Sequence, residues 1–173
     1  DLMFVNAEIA DKAFSPDILD EMAQENKLTT EYGKLIASAQ IPFEGGVYTL
    51  SQLSPFKNDP DDARRLAAWK AEGAWYKEHG AEFDGLYDQL VHLRDTMGKK
   101  LGYEGYTTLG YYRMGRPCPG PEEVKQLREN VRRDVVPVVA RLRKEIGKKL
   151  GVDTLMLYDY DLIFPQGDPA PTG

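Results

Sequence analysis

The apolar positions of this chain fall mainly at helical spacing. Ser15-Pro16-Asp17 places an N-cap residue, a proline suited to a first helical position and an early acid in a row, and Ile18, Leu19 and Met22 follow as an apolar face. Leu28, Tyr32, Leu35, Ile36 and Ala39 predict a second helix. Asp59-Pro60-Asp61-Asp62 opens another, with Ala63, Leu66, Ala67, Ala71, Ala74 and Trp75 on one side and an end or bend at Gly80. Phe83, Leu86, Leu90, Leu93, Met97 and Leu101 form an amphipathic stripe that runs into Gly102 at the C′ position. A shorter helix is expected over residues 107–114. Gly120-Pro121-Glu122-Glu123 then starts the longest helix, whose stripe is Val124, Leu127, Val131, Val135, Val138, Leu142, Ile146 and Leu150, closed by Gly151. Pro137 lies inside it. Proline removes one backbone hydrogen bond, and because the stripe resumes in phase, the expectation is a kink and not an end.

One stretch breaks the helical period. In IPFEGGVYTL, from Ile41 to Leu50, Ile41 and Phe43 alternate with other residues, Gly45-Gly46 suits the positive φ angles of a tight turn, and Val47, Tyr48 and Thr49 favour strand. This predicts a β-hairpin at about residues 41–50. Thr49 and Gln52 then read as a capping box opening a short helix. The fold expected is mainly α, a multi-helix array with one small β-hairpin. Residues 1–173 form a single helical domain or part of a larger catalytic domain, with a C-terminal loop at about 161–173. No internal repeat or low-complexity segment is visible.

Composition narrows the partners. The chain has 173 residues, 42% hydrophobic and 29% charged, enough for a real core without covalent staples. Its net charge of −6 argues against nucleic acid, which selects a basic face. The single cysteine, Cys118, forms no internal disulfide and favours a reducing, cytoplasmic setting. No run reaches the length of a membrane span. The first residues carry no basic and apolar signal-peptide regions and no initiating methionine, which points to a chain that starts within a longer protein or after removal of a tag.

No active site assembles from the motifs. His79 and His92 do not form HExxH, which sets two imidazoles one helical turn apart beside a glutamate base. His79 reads as a residue at a helix C-terminus and His92 as a surface residue. Asp159 and Asp161 suggest a cation pair, but the calcium-loop pattern needs further oxygens and a glycine where Phe164 stands, so a turn or cap role is expected. Asp59, Asp61 and Asp62 read as helix N-terminal charges. The most distinctive stretch is GYYRMGRPCPGP, Gly110 to Pro121. Arg113 and Arg116 lie about one turn apart and suit a peptide carboxylate, or else salt bridges within this acidic chain. No glycine-rich phosphate loop and no aromatic platform for nucleic acid is present. No catalytic or metal residue is assigned.

Several segments together carry a resemblance. FEGGVYTLSQLSPF (Phe43 to Phe56), DDARRLAAW (Asp61 to Trp69), the run from Phe83 to Arg116 containing LVHLRDTMGKKLGYEGYTTLGYYRMGR, and VPVVARLRKEIGKKLGVDTLMLYDYDL (Val136 to Leu162) resemble the oligoendopeptidase F branch of the thimet-oligopeptidase-like zinc metallopeptidases. The resemblance implies part of a bowl-shaped, nearly all-helical enzyme that cleaves short peptides in a deep channel. It implies zinc as the cofactor of the full-length relative and a catalytic HExxH half outside residues 1–173. It places the hairpin and the following helices in the channel wall, and Tyr111, Tyr112, Arg113 and Arg116 as candidate substrate-binding positions there. On this reading the chain alone is inactive, and stripes such as Val131, Val135, Val138 and Leu142 stay uncovered and promote self-association. The alternative reading is a stand-alone, non-catalytic helical module that binds peptides or another partner.

Overall fold

The structure is a computed structural model that describes residues 2–115 and 120–167. The backbone is mainly helical with one two-stranded antiparallel sheet among the described residues. Its contacts divide the chain into two compact units, Asp1–Leu35 with Gly80–Arg128, and Ile36–His79 with Glu129–Gly173.

The first unit begins with helix α1 (Leu2–Ala13), an element that the apolar pattern did not signal. A single 3₁₀ turn (Pro16–Ile18) follows, capped by Ser15, whose hydroxyl accepts the Asp17 N–H at 3.2 Å. Helix α2 (Leu19–Ala37) is continuous, where two helices were expected. The physical reason lies in Ala23, Gln24, Glu25 and Lys27, strong helix formers that bridge the two apolar groups without a break. Helices α5 (Gly80–Lys100) and α6 (Tyr106–Arg113) belong to the same unit. Ile18, Met97 and Leu109 are fully buried at its centre, with Met22, Leu101, Tyr103 and Tyr106 packed on them. At the end of α5, Gly102 takes φ +82°, and the Tyr103 N–H returns to the Gly98 carbonyl at 3.0 Å, the expected glycine stop. Gly98 is buried because the chain entering α6 crosses it. A Cβ there would collide with the Gly105 carbonyl.

The second unit contains the hairpin. Strands β1 (Ile41–Phe43) and β2 (Gly46–Tyr48) pair Ile41 with Tyr48 and Phe43 with Gly46. The two turn residues are Glu44 and Gly45, at φ +45° and +80°, one position earlier than the Gly45-Gly46 turn expected. Gly46 lies within the strand, where a Cβ would collide with the Tyr48 ring. Glu44 is an unusual residue for a positive φ. It is held there by Arg64, whose Nε and Nη2 lie 2.9 and 2.7 Å from its two carboxylate oxygens. Thr49 and Gln52 form the capping box that starts α3 (Leu50–Lys57). Asp61 caps α4 (Asp62–Glu78) by accepting the Arg64 N–H at 2.7 Å. The buried face of α4 is Arg65, Ala68 and Trp75, not the alanine stripe, of which Ala63, Ala67 and Ala74 are exposed.

The longest predicted helix is three pieces. Helix α7 (Pro121–Asn130) passes into a π-helical turn (Val131–Val135) and then α8 (Val136–Leu150), which ends at Gly151 with φ +72°. Pro137 is the cause. It offers no N–H to the Arg133 carbonyl, and the Val136 N–H bonds Val131, five residues back. The expected kink is thus a widened turn that ends two residues before the proline. All ten residues of 131–140 are exposed, Val131, Val135, Val136, Val138 and Val139 among them, and Leu142 follows at 52% exposure.

Gly98→Ala is expected to destabilise the first unit by about 2 kcal/mol or more, since the added methyl meets backbone and not a movable side chain. Thermal unfolding monitored by far-UV circular dichroism would show it as a lowered midpoint. An unchanged midpoint would contradict the close crossing.

Candidate functional site

Helix α6 carries the sequence candidates. Leu109, fully buried, fixes the helix against the core and sets the faces of its neighbours. Tyr111, Tyr112 and Arg113 are each half-buried. Arg116 and Cys118 lie outside the described residues. Tyr112 and Arg113 come together on one wall of a cleft of about 530 Å³, opposite Ile9, Ala10 and Ala13 of α1. Tyr111 does not line it. The Tyr112 ring stands 5.8 Å from that of Tyr103, with the Lys12 ammonium 5.7 Å from its centre.

Arg113 does not stand free. Its Nη2 donates to Glu25 Oε2 at 2.6 Å and its Nη1 to the Tyr106 hydroxyl at 3.1 Å. Glu25 is buried and accepts a second guanidinium on its other oxygen, from Arg94 Nε at 2.7 Å. The salt-bridge role expected for Arg113 is therefore real, and its partner, Glu25, belongs to no motif in the sequence. A signal existed: Glu25 falls between Met22 and Leu28 on the apolar face of α2, where a lone acid requires a cation. Burial pushes the Glu25 carboxyl upward, but the hydrogen bonds of Arg113 and Arg94 together outweigh it and hold the group below the ordinary range. The same bond to Glu25 raises the Arg113 guanidinium further.

The second unit holds a tighter cluster. Arg65 is 3% exposed and Asp159 2%, and Arg65 Nη2 lies 2.6 Å from Asp159 Oδ1. The remaining donors of Arg65 reach Asp62 at 2.8 Å and the carbonyls of Asp59, Pro60 and Tyr158 at 2.8, 3.3 and 3.1 Å. The other oxygen of Asp159 accepts the Met156 N–H at 2.9 Å. Asp159 is thus a cap and an ion-pair partner, while Asp161 is exposed and takes no part. Asp59 accepts the Asp61 N–H at 2.8 Å and pairs with Arg64 at 2.7 Å, in keeping with a role at the start of α4.

The histidines are held locally. His79 Nδ1 lies 2.9 Å from the Trp75 carbonyl with its ring stacked on the indole, and His92 Nδ1 lies 2.9 Å from the Asp88 carbonyl. They belong to different units. Among the described residues no group of three or more His, Cys, Asp or Glu side chains is placed to hold a metal ion. Among the described residues no helix is long and apolar enough to cross a membrane.

Solved structures supply the context. PZ peptidase A with inhibitor 2 matches with a TM-score of 0.95 and 42% identity over 99% of this chain, but 31% of its own length. An X-ray structure of a putative oligoendopeptidase F matches at TM-score 0.95 and 41% identity, covering 99% of this chain and 30% of that one. A putative oligoendopeptidase F from Bacillus anthracis str. Ames matches at 0.93 and 38%, covering 99% and 32%. No protein-family model and no curated protein matches. The helical array with its hairpin is therefore a peptidase fold. Within that class the chain belongs, in sequence and structure, to the oligoendopeptidase F family, as a stretch that spans about 31% of the length of these relatives.

Two outcomes test the clusters. Asp159→Ala leaves the Arg65 cation buried beside an empty position and is expected to cost about 3–5 kcal/mol, read from denaturant midpoints. For Glu25, the folded carboxyl sits below its unfolded value of 4.5, so its contribution is fully present above that pH and is lost as pH falls through the folded value. Glu25→Gln should flatten this acid limb of stability. An identical limb in the variant would show that Glu25 does not carry it.

Proposed function

We propose that this chain supplies scaffold and channel wall to an oligoendopeptidase F-type zinc metallopeptidase whose catalytic groups lie outside residues 1–173. The observation that carries this reading is the near-complete superposition of the chain on about a third of each relative, joined to a sequence without HExxH. The reaction of the whole protein is then hydrolysis of short peptides. Zinc supplies Lewis acidity and an acidified water in such an enzyme, and its ligands belong to the other segment. Residues 1–173 provide shape: in the first unit a buried Glu25 cluster that joins α2, α5 and α6, and in the second an Arg65 cluster on α4 and a hairpin pinned by Arg64. Tyr111, Tyr112, Arg113 and Arg116 are the positions proposed to meet substrate. A cytoplasmic setting belongs to the same reading and accords with the single cysteine.

The uncovered valine-rich stretch favours a second property. Ten consecutive exposed helical residues, half of them valine, form a surface that proteins of this size seldom leave in water. The chain on its own is expected to self-associate through residues 131–142.

Reading the coding sequence past Gly173 separates the readings. An in-frame HExxH supports the peptidase, and a stop codon directly after Gly173 transfers the weight to a non-catalytic module. In solution, the 173-residue chain should show no hydrolysis of a quenched-fluorescence peptide with or without added zinc. Zinc-dependent turnover by this chain would overturn the assignment. Sedimentation velocity should show association that the double variant Val135→Asp, Val138→Asp lowers by about tenfold or more in affinity, roughly the cost of burying unpaired carboxylates. Wild-type chain that remains monomeric at high concentration would remove the self-association.

A further inference from the structure

In the first unit two guanidiniums converge on one carboxylate. Arg94 and Arg113 each bond an oxygen of the buried Glu25, and among the described residues neither has another acidic partner. The cluster therefore carries one uncompensated positive charge. The usual expectation for a paired buried group is charge balance, with every charge-assisted bond matched. The excess lies beside a cavity: Arg113 lines the cleft of about 530 Å³, and its Nε–H and one N–H on each terminal nitrogen have no partner among the described residues. A planar guanidinium held on one edge by Glu25 and Tyr106 keeps its fork in a fixed orientation, which lowers the entropy lost when a second carboxylate binds.

The rest of the cleft states what kind of carboxylate fits. Ile9, Phe14 and Met22 give it an apolar wall, while Asn6 and Tyr112 add neutral polar groups. Free phosphate or a polyanion gains nothing from that wall. A carboxylate attached directly to an apolar group gains from both parts.

We propose that this cleft is a subsite for the free C-terminal carboxylate of a short peptide whose last side chain is apolar, with Arg113 as the charge that recognises it and Glu25 as the residue that positions Arg113. The choice of a peptide rests on the function proposed above. The charge imbalance and the cleft are independent of it.

The test uses the 173-residue chain and two probes, N-acetyl-alanyl-alanyl-leucine and its C-terminal amide, titrated by isothermal calorimetry or followed by NMR. The acid is expected to bind about tenfold or more tightly than the amide, a difference of about 1.4 kcal/mol. Ala10→Phe fills the cleft from the α1 side, leaving Glu25, Arg94 and Arg113 themselves unchanged, and should abolish binding of the acid. Arg113→Lys keeps a charge beside Glu25 but loses the fork, and should bring the acid down to the affinity of the amide. Equal affinity of acid and amide in the wild-type chain overturns the carboxylate subsite while leaving a peptide-binding wall in place. Binding of neither probe at millimolar concentration overturns the subsite altogether, with the peptidase reading still decided by the coding sequence. Undiminished binding by the folded Ala10→Phe variant overturns the location.

Discussion

An arginine buried on a helix face must find an acceptor for each of its five N–H groups, and that requirement organises the second unit. Arg65 sits where an alanine-rich helix would be expected to place a small apolar side chain. Its guanidinium is satisfied by two carboxylates and three carbonyls, and two of those acceptors, Tyr158 and Asp159, lie more than ninety residues away in sequence. The desolvation cost of such a group is several kcal/mol and is offset only when the geometry is complete. The segment around residues 157–159 is therefore held in one place on α4. The same logic shapes the first unit in a looser form, where Glu25 is the buried charge and two arginines converge on it from α5 and α6. In each unit a polar centre fixes what apolar packing alone leaves adjustable.

This explains which parts of the structure were legible in the sequence. Elements whose signals are local could be read directly: the capping box at Thr49, the Asp61 cap, the glycine stops at Gly102 and Gly151, and the stripe from Phe83 to Leu101. Elements set by distant partners could not. The alanines of α4 suggested one buried face, and the face centred on Arg65 was selected by residues at the far end of the chain. The hairpin turn moved by one residue because a bidentate bond from Arg64 holds Glu44 in a conformation its own propensity opposes. Helix α1 has its largest apolar residues in water, so no amphipathic stripe announced it. As for the candidate site, Tyr112 and Arg113 were named from an unusual composition, while Glu25 and Arg94, which give Arg113 its geometry, look ordinary in sequence. A charged residue within an apolar stripe was the sign available, at Glu25 and again at Arg65.

The stretch around Pro137 shows a different constraint. A proline inside a helix removes one donor and crowds the preceding turn, and the backbone responds with a wider turn instead of a break. The widening rotates the helix after it, so the valines before and after the turn no longer define a single narrow stripe. They spread over a broad surface, and all of residues 131–140 remain in contact with solvent. A surface of this kind has little to gain in water and much to gain from a covering protein. The relatives, about three times as long, have ample chain with which to cover it.

On the function proposed above, residues 1–173 carry shape. Several of their ionisable groups serve structure: Asp59, Asp61 and Asp62 at the start of α4, Asp159 on Arg65, and Nδ1 of each histidine on a backbone carbonyl of its own helix. Arg113 serves the fold with donors to spare. A guanidinium has five donors, and among the described residues this one uses two, so holding Glu25 and Tyr106 in place does not exhaust it. The feature that makes arginine a good structural clamp, several donors in one rigid plane, also lets one residue support the fold on one edge and face a ligand on the other.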